Sequence, residues 1–221
     1  MCSVTSLVFC LSKLLPSEVA GKQVLELGAR DVNGSVRPVL EAWQPATYVG
    51  VDLEPGAGVD LVLDASELIT RLGQERFDVV IATEMIEHVR DWRHIVSTMK
   101  RLLRPGGILL VTTRSRGFEY HAHPADFWRF ELSDFTTIFA DMTIDALTSD
   151  PLQPGVFLRA RRPEPFIEAD LSGQRLYNIL TDRPAQEIRD DDQRSLRARR
   201  LALTLRTKES IRALKRGLRG F

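Results

Sequence analysis

A glycine-containing loop followed by an acid is the feature of this 221-residue sequence that most directly predicts chemistry. An apolar run at residues 24–27 ends in Gly28, and a second glycine, Gly34, follows six residues later. Asp52 closes the next apolar run. Such a loop brings backbone amides close to a ligand, and a carboxylate accepts hydrogen bonds from the two hydroxyls of a ribose. The spacing therefore predicts a nucleoside-binding site.

Further polar residues follow the later apolar runs. Asp64 ends the third run, and Glu84 follows the fourth, with His88 four residues beyond it. A fifth run spans residues 108–113. Ligands of open parallel sheets bind beyond the carboxyl ends of the strands, so we expect these side chains to converge at the edge that holds the glycine loop.

The elements that position these residues alternate between strand and helix. The apolar runs are four to six residues long and lack polar alternation, which is typical of buried parallel strands. Helical patterns separate them, which predicts a doubly wound α/β sheet with helices on both faces. Residues 4–15 predict a helix against the sheet or over a cofactor, and Ser133 predicts the N-cap of a helix to about residue 140.

In this order the motifs resemble the S-adenosylmethionine-dependent methyltransferases of the Rossmann-like class, and within them the methyltransferase type 11 group. The resemblance covers roughly residues 20–162. It implies S-adenosyl-L-methionine as cofactor and a mostly parallel, seven-stranded sheet that ends in an antiparallel hairpin near 142–161. We predict a methyltransferase domain at residues 1–162 and a helical, basic C-terminal appendage at 163–221, because two prolines follow Arg162.

The resemblance also implies roles for the motif residues. Glu26 and Gly28 match the first positions of a glycine-rich motif, but Arg30 and Val32 stand where its later glycines are expected. Asp52 would bind the ribose. Asp64 and the backbone amide of Ala65, after the next strand, would contact the adenine. The predicted cofactor-binding residues are Glu26, Gly28, Ala29, Arg30, Gly34, Asp52, Leu53, Asp64, Ala65, Glu84 and His88.

Three of these positions have alternatives. Asp64 either accepts a hydrogen bond from the adenine amino group or only caps a short helix. Glu84 either holds the amino group of the cofactor or lies near the methyl acceptor. His88 either contacts cofactor or substrate, or packs as a structural histidine.

The segment 120–130 is rich in aromatic and titratable residues, and it predicts the acceptor side of the site. It resembles a stretch of methyltransferases that accompany glycosyltransferases in bacterial glycan or glycolipid pathways; alternatively, its aromatic residues only pack on the sheet. We predict His121, His123 and Asp126 as catalytic residues, either histidine being a candidate base. Asp126 and Arg129 pair with each other or meet a polar substrate. The chemistry requires no metal, and the spacing of the two histidines favours opposite faces of an extended segment.

The function expected from these features is O-methylation of a saccharide, glycolipid or small secondary metabolite. One alternative is a non-catalytic regulatory protein that binds S-adenosylmethionine, and another is an interaction module that acts through the basic tail.

The formal net charge is zero, but residues 183–221 carry 12 Lys or Arg against 5 Asp or Glu. Nucleic acid is not expected as partner, because the fourth strand lacks an Asn-Pro-Pro-type motif. An apolar stripe in the tail predicts peripheral membrane contact or a homodimer; its members are Leu196, Leu203, Ile211, Leu214, Leu218 and Phe221. Two cysteines, both in the first ten residues, form no disulfide framework and favour a cytoplasmic protein.

Overall fold

A computed structural model describes residues 3–122 and 124–217 of the chain. The first half consists of α1 (Val4–Ser12), α2 (Pro16–Val19), β1 (Gln23–Leu27), α3 (Arg37–Ala42), β2 (Thr47–Asp52), β3 (Leu61–Val62), α4 (Leu68–Leu72), β4 (Phe77–Thr83), α5 (Trp92–Leu102) and β5 (Leu103–Arg114). The second half consists of β6 (Trp128–Arg129), α6 (Leu132–Ile138), β7 (Thr143–Ser149), β8 (Gly155–Arg161), β9 (Leu176–Asn178), β10 (Arg183–Ala185), α7 (Asp190–Arg194) and α8 (Leu196–Gly217).

Seven strands form one sheet in the order β3-β2-β1-β4-β5-β8-β7. Neighbours from β3 to β5 pair in parallel, whereas β8 runs antiparallel to both β5 and β7. The predicted fold is therefore confirmed, including its C-terminal hairpin. The order reverses between β1 and β4, and this places the switch point of the sheet beside the glycine loop.

Both faces of the sheet are covered by helices. In β4, Val79 and Ile81 face a core that includes residues of α1, α2 and α3, while Val80 and Ala82 face the core formed with α4, α5 and α6. All four side chains are fully buried. This double burial explains why the strand sequences lack polar alternation.

The C-terminal segment packs closely against the rest of the chain. Residues 163–189 contain no α-helix; β9 pairs with β6 and with β10 in a second, three-stranded sheet. Ile179 and Ile188 are buried in the main core, and Arg93 donates to the carbonyl oxygen of Leu171 at 2.7 Å. The helical prediction for the appendage thus holds only from α7 onward, while the domain boundary at residue 162 stays a prediction.

Two smaller predictions concern helix ends. Helix α6 begins one residue before Ser133, because Glu131 is its N-cap and donates its own amide to Asp134 at 2.8 Å. In the tail, Leu196 and Leu203 are exposed on α8, whereas Leu218 and Phe221 lie outside the described residues. Among the described residues, no helix is both long and apolar enough to cross a membrane.

The ion pair of Lys100 with Asp141 joins helix α5 to the chain that follows α6. Its 2.8 Å contact is buried, and burial lowers the pKa of Lys100 while Asp141 opposes that shift. We expect Asp141→Ala to cost about 3–5 kcal/mol in urea unfolding, because it leaves a buried ammonium without its partner. The double variant with Lys100→Met should regain stability. As control, Glu187→Ala removes an exposed pair and should cost at most about 1 kcal/mol; equal losses would contradict this prediction.

Candidate functional site

The carboxyl ends of the parallel strands form a single polar edge, as predicted. The loop after β1 is bound to the end of β2, since the amides of Gly28 and Ala29 both donate to the carbonyl oxygen of Val51, at 2.9 and 3.1 Å. Gly28 has a φ of +70°, and a Cβ there would lie 2.8 Å from the side chain of Met85. A side chain at this position would clash and be strained, so the first motif glycine is required by the fold.

The rest of the glycine loop is held in place by hydrogen bonds at Gly34 and Asp31. The amide of Gly34 donates to the Asp31 carboxylate at 2.9 Å, and the amide of Asp31 donates to the carbonyl oxygen of Ala57 at 2.9 Å. The loop is thereby held against residues 53–60 by its own backbone. The side chain of Arg30, in this loop, forms an ion pair with Glu54 on that segment.

Asp52 lies at the end of β2, where the resemblance places the ribose. Its carboxylate accepts the amides of Arg30 and Glu54, each at 3.1 Å. Carboxylate oxygens have two lone pairs each, so both retain acceptor capacity for hydroxyl groups. Leu53 is exposed beside it, which is compatible with contact to a flat ring. The ribose role of Asp52 stays a prediction.

Glu26 is linked to the neighbouring strand β2. It is buried, and it accepts a 2.7 Å hydrogen bond from the hydroxyl of Tyr48. Burial raises the pKa of Glu26 to about 7, although the Tyr48 hydrogen bond opposes the shift. The predicted cofactor-binding role of Glu26 stays a prediction.

Asp64 is exposed and its carboxylate accepts the amide of Ser66 at 2.8 Å. It thus caps the short 3-10 helix at Ala65–Glu67, the alternative that needs no ligand. The predicted adenine contacts of Asp64 and Ala65 stay predictions.

Glu84 connects β4 to the N-terminal helix. It has a φ of +49°, and Oε1 accepts the amide of Ser3 at 3.1 Å and the hydroxyl of Ser6 at 2.7 Å. Oε2 pairs with Arg114 at 2.6 Å. Helix α1 therefore reaches over the site, and both oxygens of the acid predicted to hold the cofactor's amino group already have protein partners.

His88 lies in the 3-10 helix Ile86–His88 that follows β4. Its Nδ1 is hydrogen-bonded to the carbonyl oxygen of Ala125, so Nδ1 carries the proton and Nε2 is left as an acceptor. Burial lowers the pKa of His88, which favours the neutral ring. The preceding residue, Glu87, has a fully buried side chain whose Oε2 accepts the hydroxyl of Thr113 at 2.8 Å.

The acceptor segment approaches His88 from the opposite side. The ring of His121 lies 4.8 Å from that of His88, and its Nδ1 lies 3.0 Å from the carboxylate of Asp126. Asp126 also forms a two-pronged ion pair with buried Arg129, at 2.5 and 2.8 Å. Burial alone would raise the pKa of Asp126, but hydrogen bonds from Arg129 and His121 outweigh it and hold that pKa well below its ordinary value.

The structure thus unites two of the three predicted catalytic residues. Asp126 is an ionised partner that orients His121, while His123 lies outside the described residues. Tyr120 and Phe127 from this segment form one wall of a groove of about 210 Å³, and Leu180 with Arg199 of α8 form part of the other. The tail therefore borders the acceptor segment.

A family model described as a methyltransferase domain matches residues 10–149. The chain belongs to the S-adenosylmethionine-dependent methyltransferases. S-adenosyl-L-methionine is the cofactor of this family, which confirms the cofactor expected from the sequence.

Curated relatives agree with this assignment. The chain is 33% identical over 111 residues to the ubiquinone biosynthesis O-methyltransferase of Thiobacillus denitrificans and 31% identical over 111 residues to that of Pseudomonas fluorescens. Each match covers 44% of this chain, which spans about half the length of these relatives, namely 47%.

Solved structures share the fold. The 1,6-didemethyltoxoflavin-N1-methyltransferase of Burkholderia thailandensis, with bound S-adenosylhomocysteine, has a TM-score of 0.55 at 15% identity, over 72% of this chain and 77% of that one. The N-methyltransferase NodS of Bradyrhizobium japonicum, also with S-adenosylhomocysteine, has a TM-score of 0.53 at 20% identity, over 70% and 85%.

Several site residues were not identified from the sequence. Arg114 ends β5 at the same edge as the predicted acids, so its position on the strand was an available signal. Glu87 lies between the predicted site residues Glu84 and His88, but nothing in the local sequence shows that it is buried. Ser3 and Ser6 carry no signal at all, because their contact with Glu84 joins residues about 80 positions apart.

The buried carboxyl of Glu26 predicts a pH dependence of stability. Because its pKa is higher in the folded than in the unfolded chain, its contribution is complete below the unfolded value and is lost as the pH rises through about 7. Relative to Glu26→Gln, the wild type should lose about 2–3 kcal/mol of unfolding free energy between about pH 5 and pH 8. Urea unfolding at both pH values measures this, and parallel pH profiles of the two proteins would refute it.

Proposed function

We propose that the chain catalyses methyl transfer from S-adenosylmethionine to an oxygen of a small hydroxylated acceptor. The observation that carries the proposal is the position of His121, which Asp126 orients and which lies at the strand edge next to Glu87 and His88. Nδ1 of His121 is taken by Asp126, so Nε2 is the ring atom that remains for chemistry at this edge.

Methyl transfer to oxygen requires alignment and the loss of one proton. The acceptor oxygen attacks the methyl carbon of the sulfonium, the carbon–sulfur bond breaks, and its electron pair stays on sulfur to give S-adenosylhomocysteine. The hydroxyl proton is accepted by Nε2 of His121, whose Nδ1 faces Asp126. The protein's part is to align the two reactants and to exclude water.

The acceptor class is proposed from the segment 120–130 and its groove. Tyr120 and Phe127 line the groove with aromatic rings, and the exposed Arg199 adds a polar group. This combination suits a saccharide, a glycolipid or a small secondary metabolite, whose apolar faces stack while hydroxyls form hydrogen bonds. The names of the curated relatives support oxygen as the acceptor atom.

For the tail we propose contact with a membrane surface or with a second copy of the chain. Leu196 and Leu203 lie seven residues apart on α8, and both are exposed, as are Arg199, Arg200 and Arg206. Replacing both leucines by Ser should abolish sedimentation with anionic vesicles if α8 binds lipid. If the change instead lowers the solution mass, the stripe is a subunit contact. If the change has neither effect, both proposals are contradicted.

Asp52→Ala tests the cofactor site. The variant should bind S-adenosylmethionine roughly 10-fold to 150-fold more weakly by calorimetry, because it loses hydrogen bonds from ribose hydroxyls to a carboxylate worth about 1.5–3 kcal/mol. Glu67→Ala, an exposed acid on the neighbouring 3-10 helix, is the control and should bind like the wild type. An unchanged affinity in Asp52→Ala would place the ribose elsewhere.

His121→Ala tests the acceptor side. We expect S-adenosylhomocysteine formation with a panel of glycan, glycolipid and phenolic acceptors to fall by about 100-fold or more, with cofactor affinity retained. The exposed His94→Ala is the matched control. If wild-type protein binds the cofactor but forms no S-adenosylhomocysteine with any acceptor, the regulatory alternative is favoured over catalysis.

A further inference from the structure

We propose that Glu87, His88 and His121 form a binding site for one divalent transition-metal ion. Among the residues that the structure describes, these three form a group whose potential ligand atoms all lie within 4.8 Å of one another. They come from two separate stretches of chain, the 3-10 helix after β4 and the acceptor segment. This departs from the sequence-based expectation that no metal is required.

The distances fit a metal site that closes slightly on binding. Oε1 of Glu87 lies 4.0 Å from Nε2 of His88 and 3.8 Å from Nε2 of His121. Ligand atoms about 2.0–2.1 Å from a tetrahedral zinc ion lie about 3.3 Å apart. All three ligand atoms lie within 4.8 Å of one another, so side-chain shifts of about 1 Å or less would bring them to coordination distance.

Each proposed ligand is oriented by an outer hydrogen bond. Nδ1 of His88 donates to the carbonyl oxygen of Ala125, and Nδ1 of His121 faces the carboxylate of Asp126. The second oxygen of Glu87 accepts from Thr113. Metal-binding histidines are commonly held by a carbonyl or carboxylate on their other nitrogen, which leaves Nε2 as a lone-pair donor.

The cluster contains buried polar atoms that have no hydrogen-bond partner among residues 3–122 and 124–217. These atoms are Oε1 of Glu87 and Nε2 of His88, and the Glu87 side chain is fully buried. A buried carboxylate oxygen without a partner is costly. A cation between these atoms would satisfy both at once, because carboxylate and neutral imidazole are ligands for the same ions.

Two imidazoles and one carboxylate select a metal of intermediate softness, such as Zn²⁺, Co²⁺ or Fe²⁺, over Mg²⁺ or Ca²⁺. Three protein ligands leave a coordination position open. This part of the inference rests on the proposed function: an acceptor hydroxyl at the open position would lose its proton to solvent more readily, and His121 would act as ligand instead of base.

The test uses the full-length, tag-free protein after chelator treatment and dialysis. We expect one Zn²⁺ to bind per chain, and Co²⁺ to give the visible absorption of a tetrahedral site. Glu87→Gln, His88→Gln and His121→Ala should each lose this binding, and Thr113→Val should weaken it by about 10-fold to 100-fold. Circular dichroism reports that each variant is folded, and His94→Ala, an exposed histidine on α5, should bind like the wild type.

The proposal is overturned if the chelator-treated wild type binds no Zn²⁺, or if folded His121→Ala binds it as the wild type does. Metal removal also separates the two roles of His121, because a histidine that acts only as base leaves turnover unchanged by chelation. Zinc binding without S-adenosylhomocysteine formation would contradict the proposed function and leave the metal site intact.

Discussion

The buried guanidinium of Arg129 is the interaction on which the acceptor side depends. It binds both carboxylate oxygens of Asp126 and also donates to the carbonyl oxygens of Phe118 and Glu119, at 3.4 and 3.0 Å. A buried charge is tolerated only when it is paired and hydrogen-bonded, so this one guanidinium fixes the path of the irregular segment around it. Because Asp126 is fixed, His121 has a fixed orientation at the strand edge.

The cofactor side depends on backbone contacts instead. Gly28 and Ala29 are tied to the end of β2, and Gly50 allows the loop around Gly58 to approach, since a Cβ on Gly50 would lie 2.0 Å from the carbonyl oxygen of Gly58. The absence of a Cβ on Gly50 permits this close approach of two backbone segments. This backbone geometry accounts for the tolerance of Arg30 where the usual motif has a glycine, because the amide of that residue, and not its side chain, faces Asp52.

The two sides meet through elements that lie far apart in the sequence. Helix α1 reaches Glu84 at one side of the edge, and the chain after β8 returns to pair with β6 beside the acceptor segment. The amide of Ile179 donates to the carbonyl oxygen of Phe127 at 3.0 Å, so the C-terminal segment supports the aromatic wall of the groove. Residues beyond the seven-stranded sheet thus belong to the architecture of the site.

Much of the fold could be read from the sequence because its signals are local. Apolar runs without alternation identify strands buried on both faces, and Gly28 and Asp52 follow from where two of those strands end. The cluster of Glu87, His88 and His121 could not be predicted, because 33 positions separate the two histidines and no spacing rule relates them. The sequence by itself determined the sheet and the position of its cofactor edge. Only the tertiary structure decided which acids are buried, which are already paired, and which face the acceptor segment, because these depend on packing between distant parts of the chain.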